Sequence, residues 1–210
     1  MAQRSYFFDS VAGDRIYTSA DFARVFGALA GRDGVIYGYG DELKVTPGSG
    51  MAVKVGTGAA FVQGRMLEVY GQAETLPIAT ADATNPRIDR VVVRVDLSTA
   101  QRKAYLAVKT GTAAATPVAP LLQQDSTIWE MSLAQVRVPA GATGVVAGNI
   151  TDEREFTSTA ATTLYTPGVE GFDVATVQAG LDVLAGSRIV DHNLDVANPP
   201  NGYYVRWDNG

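Results

Sequence analysis

The chain has no cysteine and a single histidine. Without cysteine, disulfides, thiolate nucleophiles and thiolate metal sites are excluded. A catalytic triad or a zinc site would have to use His192, which lies in Asp-His-Asn-Leu-Asp near a Pro-Pro break, a setting typical of an exposed loop. The sequence therefore predicts a protein that is not an enzyme and that uses no cofactor and no metal ion.

Long apolar runs and clusters of basic residues are also missing. No apolar run reaches the roughly 18 residues that a membrane-spanning helix needs. The start, Met-Ala-Gln-Arg-Ser-Tyr-Phe-Phe-Asp, lacks the apolar core of a signal peptide. The net charge is −5, and Lys and Arg are not grouped as phosphate binding requires. We therefore expect a protein made in the cytosol, with no membrane insertion and no nucleic-acid partner.

One helix is predicted near the start. Thr18 or Ser19 can cap it, Asp21 falls in its first turn, and Gly31 is a stop signal. The spacing predicts a helix over 19–30 that packs on a sheet through its apolar stripe, which consists of Phe22, Val25, Phe26 and Leu29. A ligand groove along the two phenylalanines is the alternative interpretation.

Strand and turn signals fill residues 34–155. Apolar residues alternate through Val91, Val93, Val95 and Leu97, which predicts that these four share one face of a strand. A second alternation runs through residues 104–109 after a polar break at 98–102, which indicates a hairpin. Further alternation occurs at 51–55 and on both sides of Gln63-Gly64, whereas 46–50 and 112–120 have loop composition. Residues 132–138 also alternate, which predicts one face with Ala134, Val136 and Val138 and an opposite face with Leu133, Gln135 and Arg137. We expect a mainly β fold, an antiparallel sandwich or barrel-like domain with one N-terminal helix.

The C-terminal region has a different pattern. We expect a β-rich domain over 1–156, a Thr-rich linker over 157–169, a short helix over 170–190, and a turn and strand over 191–210. Such a short helix is not stable alone, so it packs either on its own domain or on copies of itself. The terminal strand also lacks a partner. The candidate self-association residues are Val174, Val177, Leu181, Leu184, Tyr203 and Val205.

No sequence motif is strong evidence for a catalytic or ligand-binding site. Gly56-Thr57-Gly58 lacks the third glycine and the following helix of a dinucleotide cradle. Residues 152–155, Asp-Glu-Arg-Glu, offer carboxylates to a glycosidase, but a self-paired turn is the simpler interpretation. A glycan-binding platform is harder to dismiss, and its candidate aromatics are Tyr37, Tyr39, Tyr70, Tyr105, Trp129, Tyr203, Tyr204 and Trp207.

A series of short segments resembles the N-terminal module of tail proteins from tailed bacteriophages, the tail fibre, receptor-binding and upper baseplate proteins. The segments span residues 6 to 155 and include Pro-Arg-Ile-Asp-Arg at 86–90; the others are 6–15 with Asp21-Phe22, 50–55, 58–64, 108–112, 138–142 and 150–154. Separately, residues 201–210 resemble the opening of a repeat from distal parts of tail fibres, from which Trp207 and Asn209 depart.

The resemblance implies a virion structural protein of the tail, docked on the tail tip or baseplate as a homotrimer. It implies that the protein carries, or connects to, a part that binds the host receptor, for which a cell-surface glycan is the candidate. Tyr6, Phe7 and Phe8, in the first matching segment, are the candidates for docking on other tail proteins. The alternative function is a glycan-binding adhesin module that acts directly on the host surface.

Overall fold

The structure is a computed structural model, and it describes residues 3–157. These residues belong to the first of two compact units of the chain, which spans 1–163. One α-helix, α1, covers Ser19–Ala30. The strands are β1 Gly34–Val35, β2 Val45–Pro47, β3 Ala52–Val55, β4 Gly58–Val62, β5 Arg65–Val69, β6 Glu74–Pro77, β7 Arg87–Asp96, β8 Lys103–Lys109, β9 Ile128–Val138 and β10 Ile150–Asp152.

The strands form three antiparallel sheets. Their orders are β1-β4-β5, β2-β3-β6 and β10-β9-β7-β8. Each sheet ends in two edge strands, so the described domain is sandwich-like and not a closed barrel. The prediction of a mainly β, antiparallel domain with a single N-terminal helix is confirmed.

A single hydrophobic core joins the three sheets. Every sheet contributes fully buried valines, among them Val62, Val53 and Val93. The alternation predicted for Val91, Val93 and Val95 is confirmed, because all three face this core. Leu97, which was expected to share their face, lies beyond the end of β7 and is largely exposed, so that part of the prediction is wrong.

Strand β9 carries a bulge that changes which residues face the core. Ala134 lies opposite Val91, but Ser132 lies opposite Val92, so Leu133 is an extra residue. Since one added residue reverses the alternation, Leu133 and Ala134 are both buried. The prediction that Leu133 faces away from Ala134, Val136 and the core is therefore wrong.

The other elements follow their local sequence closely. Gln63 and Gly64 both have positive φ and form the predicted tight turn between β4 and β5. Strand β2 reaches into 46–50, which was predicted to be loop throughout. The predicted linker, apart from Thr157, and the predicted C-terminal helix and strand lie outside the described residues.

Candidate functional site: an exposed aromatic surface

Helix α1 packs on the β-domain through its small residues. Ala23 is its one buried residue, and Gly27 lies one turn further along on the same side. Both approach Gly64 in the β4–β5 turn. A Cβ atom added at position 64 would lie 1.7 Å from the carbonyl oxygen of Ala23. Only glycine at position 64 allows this contact, so the turn and the helix fit together backbone against backbone.

This contact turns the large side chains of α1 outward. Phe22 and Phe26 are 42% and 43% exposed, and Leu29 is 76% exposed. The prediction that the apolar stripe packs the helix on the sheet is therefore wrong for Phe22 and Leu29. Val25 is half-buried, and Phe26 keeps a ring contact with Phe61 of β4. The reason is steric, because the small-residue side lets the two backbones approach more closely than an aromatic side could. The spacing of Ala23 and Gly27 was the signal available in the sequence.

The outward phenylalanines continue into a series of rings. Phe7 stacks on Phe22 at 5.5 Å between ring centroids, Phe22 on Phe26 at 6.3 Å, and Phe26 on Phe61 of β4 at 6.4 Å. Tyr6 and Tyr17 extend the series around Phe7 at 6.1 and 5.5 Å. We call these six residues, Tyr6, Phe7, Tyr17, Phe22, Phe26 and Phe61, the aromatic surface.

Polar contacts hold the N-terminal segment in place. The Phe8 amide donates to the Tyr17 hydroxyl at 2.8 Å, and Arg24 of α1 donates to the Tyr6 hydroxyl at 2.9 Å. The bulky Phe7 nevertheless has a φ of +63°. A left-handed backbone at such a residue costs about 1 to 2 kcal/mol. The chain thus holds Phe7 in a strained conformation while its ring remains 53% exposed.

The start of α1 is fixed by a capping box. The Thr18 side chain accepts from the Asp21 amide, and the Asp21 carboxylate accepts from the Thr18 amide at 3.0 Å. The hydrogen bonds from Thr18, with a smaller contribution from Arg24, lower the pKa of Asp21 below its usual range. This cap positions the first turn of the helix and therefore Phe22.

Charges next to the aromatic surface are neutralised in pairs. Arg24 pairs with Asp21 at 3.2 Å and Arg15 with Asp14 at 3.5 Å, and the Arg15 guanidinium also lies over the Phe8 ring. The surface therefore presents aromatic area without a net charge of its own. Such an area suits an apolar protein partner better than a polyanion.

A second polar feature lies on the large sheet. The Glu130 side chain is fully buried, and its carboxylate accepts from Arg94 at 2.5 Å, from Lys109 at 2.6 Å and from the Gln123 amide at 2.7 Å. Burial alone would raise the pKa of Glu130, but these three sets of hydrogen bonds outweigh it and the pKa lies below its usual range. Sequence reasoning missed this group because Glu130 precedes the alternation at 132–138, and its three partners come from two other strands and a loop.

The residues behind the family resemblance have structural roles here. Arg87 and Asp89 form a buried pair at 2.9 Å, and Asp89 also accepts from the Gly111 amide at 2.8 Å. Asp152 pairs with Arg154, as the self-paired turn predicted, whereas Glu153 instead accepts from Ser132 at 2.5 Å. These residues connect loops and strands through ion pairs and hydrogen bonds.

The aromatic surface contains two of the three predicted docking residues, Tyr6 and Phe7. Phe8 is exposed beside them. The Gly56-Thr57-Gly58 loop is occupied by the Asp41 carboxylate, which accepts from the Thr57 hydroxyl at 2.9 Å. The residues predicted from the C-terminal region lie outside the described residues; they are His192, Val174, Val177, Leu181, Leu184, Tyr203, Tyr204, Val205 and Trp207.

The predicted glycan-binding aromatics are dispersed. Tyr37, Tyr39 and Tyr70 are exposed, whereas Tyr105 and Trp129 are half-buried in the large sheet. Tyr37 meets Phe156 edge to face, with 5.8 Å between the ring centroids. The Tyr39 hydroxyl donates to Glu68, and this hydrogen bond raises the pKa of the tyrosine.

Comparison with protein-family models found no match, and comparison with curated proteins found none either. Within residues 3–157, no three His, Cys, Asp or Glu side chains come together as a metal site. No helix in that part of the chain combines the length and apolar character needed to cross a membrane. Function is therefore inferred from the chain's own residues and geometry.

Proposed function

We propose that the chain is a structural protein of a phage tail, a fibre or baseplate component, that docks on other tail proteins through its N-terminal aromatics. The observation that carries this proposal is the aromatic surface. It places several partly exposed rings side by side at the N-terminal end of a well-packed β-domain. Aromatic side chains of this kind dominate the energetics of protein interfaces.

Two further features support a docking role. Phe7 is held in a strained backbone conformation, and strain of this kind is concentrated at functional sites. Arg15 and Arg24 beside the surface are each paired with a carboxylate, so docking over them leaves neither guanidinium without a partner. Both features favour a protein partner with an apolar groove.

The assignment to a phage tail is supported by the resemblance of residues 6–155 to tail-protein modules. On this proposal the protein resides in the virion tail after synthesis in the host cytoplasm, and it acts without catalysis or a cofactor. The C-terminal region would form a homotrimer and carry or connect to the host-receptor-binding part. The candidate trimer residues, with Leu181 and Tyr203 among them, come from the sequence alone.

The proposal is tested on purified virions of the phage that encodes the chain. Antibodies against the chain should label the tail, and the paired substitution F7S/F8S should reduce incorporation into particles. Substitution of Val11, an exposed apolar residue of the same segment, with Ser is the matched control and should leave incorporation unchanged. Absence of the chain from purified wild-type virions would contradict the proposal.

A glycan-binding adhesin remains the second candidate function. It is favoured by the exposure of Tyr37 and Tyr39, since exposed tyrosine rings can stack on sugars. Under this alternative, the purified chain would bind a host polysaccharide directly, and Tyr39→Ser would weaken binding while Phe7→Ser would not. The docking proposal predicts no such binding by the described β-domain residues.

A further inference from the structure

The last described residues of the chain return to the first strand of the domain. After β10, residues 155–157 lie alongside β1 in parallel, with Val35 opposite Phe156. The Val35 amide donates to the Glu155 carbonyl at 2.7 Å, and the Thr157 amide donates to the Val35 carbonyl at 2.9 Å. We call residues 155–157 the closing segment. Because β1 also pairs with β4, it is hydrogen-bonded on both sides.

Side chains reinforce the pairing of the closing segment. Nε of Arg32, which lies between α1 and β1, donates to the Phe156 carbonyl at 2.8 Å. The Phe156 ring packs against the core, and the Arg154 guanidinium lies 5.5 Å from the centroid of that ring. Arg154 in turn pairs with Asp152 at 2.7 Å and donates to the Glu42 carbonyl at 2.9 Å. The closing segment is therefore held through its backbone, through its ring and at its upstream end.

The pairing also requires a glycine in β1. A Cβ atom added at Gly34 would lie 2.5 Å from the Phe156 carbonyl carbon and 2.5 Å from the Thr157 nitrogen. Gly34 is not among the residues with positive φ, so glycine is needed here for space and not for backbone freedom. Val35 and Thr157 are buried, and hydrogen bonds shielded from water are electrostatically stronger than exposed ones.

The two paired strands connect to the rest of the chain at opposite ends. The chain enters β1 from α1 at the N-terminal end of the strand, and it leaves the closing segment after Thr157 towards the C-terminal region. Because the strands are parallel, tension between α1 and the C-terminal region pulls them in opposite directions along their axes. The hydrogen bonds across the pair then resist together, whereas a hairpin pulled at its open end loses them one after another.

We propose that the closing segment is a mechanical clamp, which transmits tension from α1 to the C-terminal region and keeps it off the β-sheets. Residues 36–154, which contain every strand after β1, lie between the two clamped strands in the chain. The clamp itself is a property of the chain alone. Its use in a virion, where tension runs between the docked N-terminal aromatics and the C-terminal region, rests on the proposed function.

The absence of cysteine allows handles to be attached at chosen positions for single-molecule force measurements. Handles are placed on the full-length chain at Leu29→Cys, exposed in the last turn of α1, and at Ser158→Cys, directly after the closing segment. In this background, Gly34→Ala and Arg32→Gln are each expected to speed unfolding at constant force about tenfold, the effect of one net hydrogen bond on a rate. Hydrogen exchange of the Thr157 amide should also become faster in both variants.

Two substitutions outside the clamp are the controls. Gly148→Ala adds a methyl group where no atom lies within 4 Å, so it should leave the unfolding rate unchanged. Val108→Ala removes part of a side chain that packs on the core from β8, so it should lower the equilibrium stability measured in urea. It should nevertheless leave the rate under tension unchanged, because β8 is still folded when the clamp breaks.

The rate under tension distinguishes a clamp from an ordinary structural contact. The proposal is overturned if Gly34→Ala and Arg32→Gln leave that rate unchanged, or if Val108→Ala raises it equally for the same loss of equilibrium stability. If Gly34→Ala does not fold, Arg32→Gln provides the same comparison alone. These measurements use the purified chain and do not depend on virion incorporation, so failure of the clamp and failure of the docking function are separate outcomes.

Discussion

At the scale of single residues, the position of α1 depends on one glycine. Gly64→Ala would place a methyl group 1.7 Å from the Ala23 carbonyl oxygen and would add strain at a φ of +66°. The helix must therefore move away from the β4–β5 turn, and the Phe26–Phe61 contact is lost with it. We expect a loss of about 2 kcal/mol or more in the free energy of unfolding, measured with urea.

Gly27→Ala is the matched control for this prediction. Its Cβ would lie 3.5 Å from the Gly64 Cα, which is an ordinary contact, and alanine favours the helix by about 1 kcal/mol. This variant should be as stable as the original chain or slightly more stable. Equal destabilisation by both substitutions would show that the close approach at Gly64 does not position the helix.

Glu130 controls stability through its charge. Glu130→Gln keeps the shape of the side chain but leaves Arg94 and Lys109 without their buried anion, a change that costs about 3 kcal/mol or more. Glu74→Gln on exposed β6 is the control and should have little effect. Thermal unfolding at neutral pH measures the difference, and similar melting temperatures for the two variants would contradict the assignment.

Acidification should have a related effect. Because folding lowers the pKa of Glu130, its contribution to stability is complete above the unfolded pKa of about 4.3 and is lost as the pH falls towards the folded value. The original chain should therefore lose stability below about pH 5, and Glu130→Gln should lose less over the same range. Parallel stability curves for the two proteins would refute this role.

At the scale of elements, the cap of α1 determines how well the aromatic surface is formed. Thr18→Ala removes the side chain that accepts from the Asp21 amide, at a cost of about 1 kcal/mol. Ser19→Ala, one residue later, leaves the capping box intact and is the control. Hydrogen exchange of the α1 amides should increase in the first variant only, and equal exchange in both would mean that packing alone sets the helix.

Local patterns in the sequence predicted which elements form, but less reliably which side of an element is buried. The cap, the stop and the length of α1 follow from Thr18, Asp21 and Gly31, so the helix was predictable. Its orientation depends on a turn some forty residues further along, where Gly64 admits the Ala23 backbone. No local pattern contains that contact, so Phe22 and Phe26 were predicted to pack on the sheet, whereas both are largely open to solvent.

The large sheet shows the same limit. Alternation predicted β7 and β8, because their pairing keeps one register throughout, from Arg90 opposite Lys109 to Asp96 opposite Lys103. In β9 the extra residue Leu133 reverses the alternation, and the bulge is visible only once its pairing with Val91 and Val92 is known. Glu130 lies beyond that point, and its carboxylate accepts from the Gln123 amide in the loop between β8 and β9.

At the scale of the whole molecule, the chain combines a β-domain that exposes apolar patches with a C-terminal region whose sequence predicts self-association. The aromatic surface lies on a support that is fixed by a backbone contact, with Gly64 beneath the helix. On the proposed function, this surface is the part of the β-domain that meets another tail protein. Burial of several such patches would allow assembly to be cooperative.

The last prediction concerns the C-terminal stripe of Val174, Val177, Leu181 and Leu184, which lies outside the described residues. A leucine buried between copies contributes about 1.5 to 3 kcal/mol, so Leu181→Asp should dissociate the assembly while the β-domain keeps its circular dichroism. Asp182→Asn, next to it but off the stripe, is the control and should leave the sedimenting mass unchanged. If the wild-type chain sediments as a monomer at micromolar concentration and deletion of 161–210 leaves it in that mass class, the stripe packs within one chain and the trimer is contradicted.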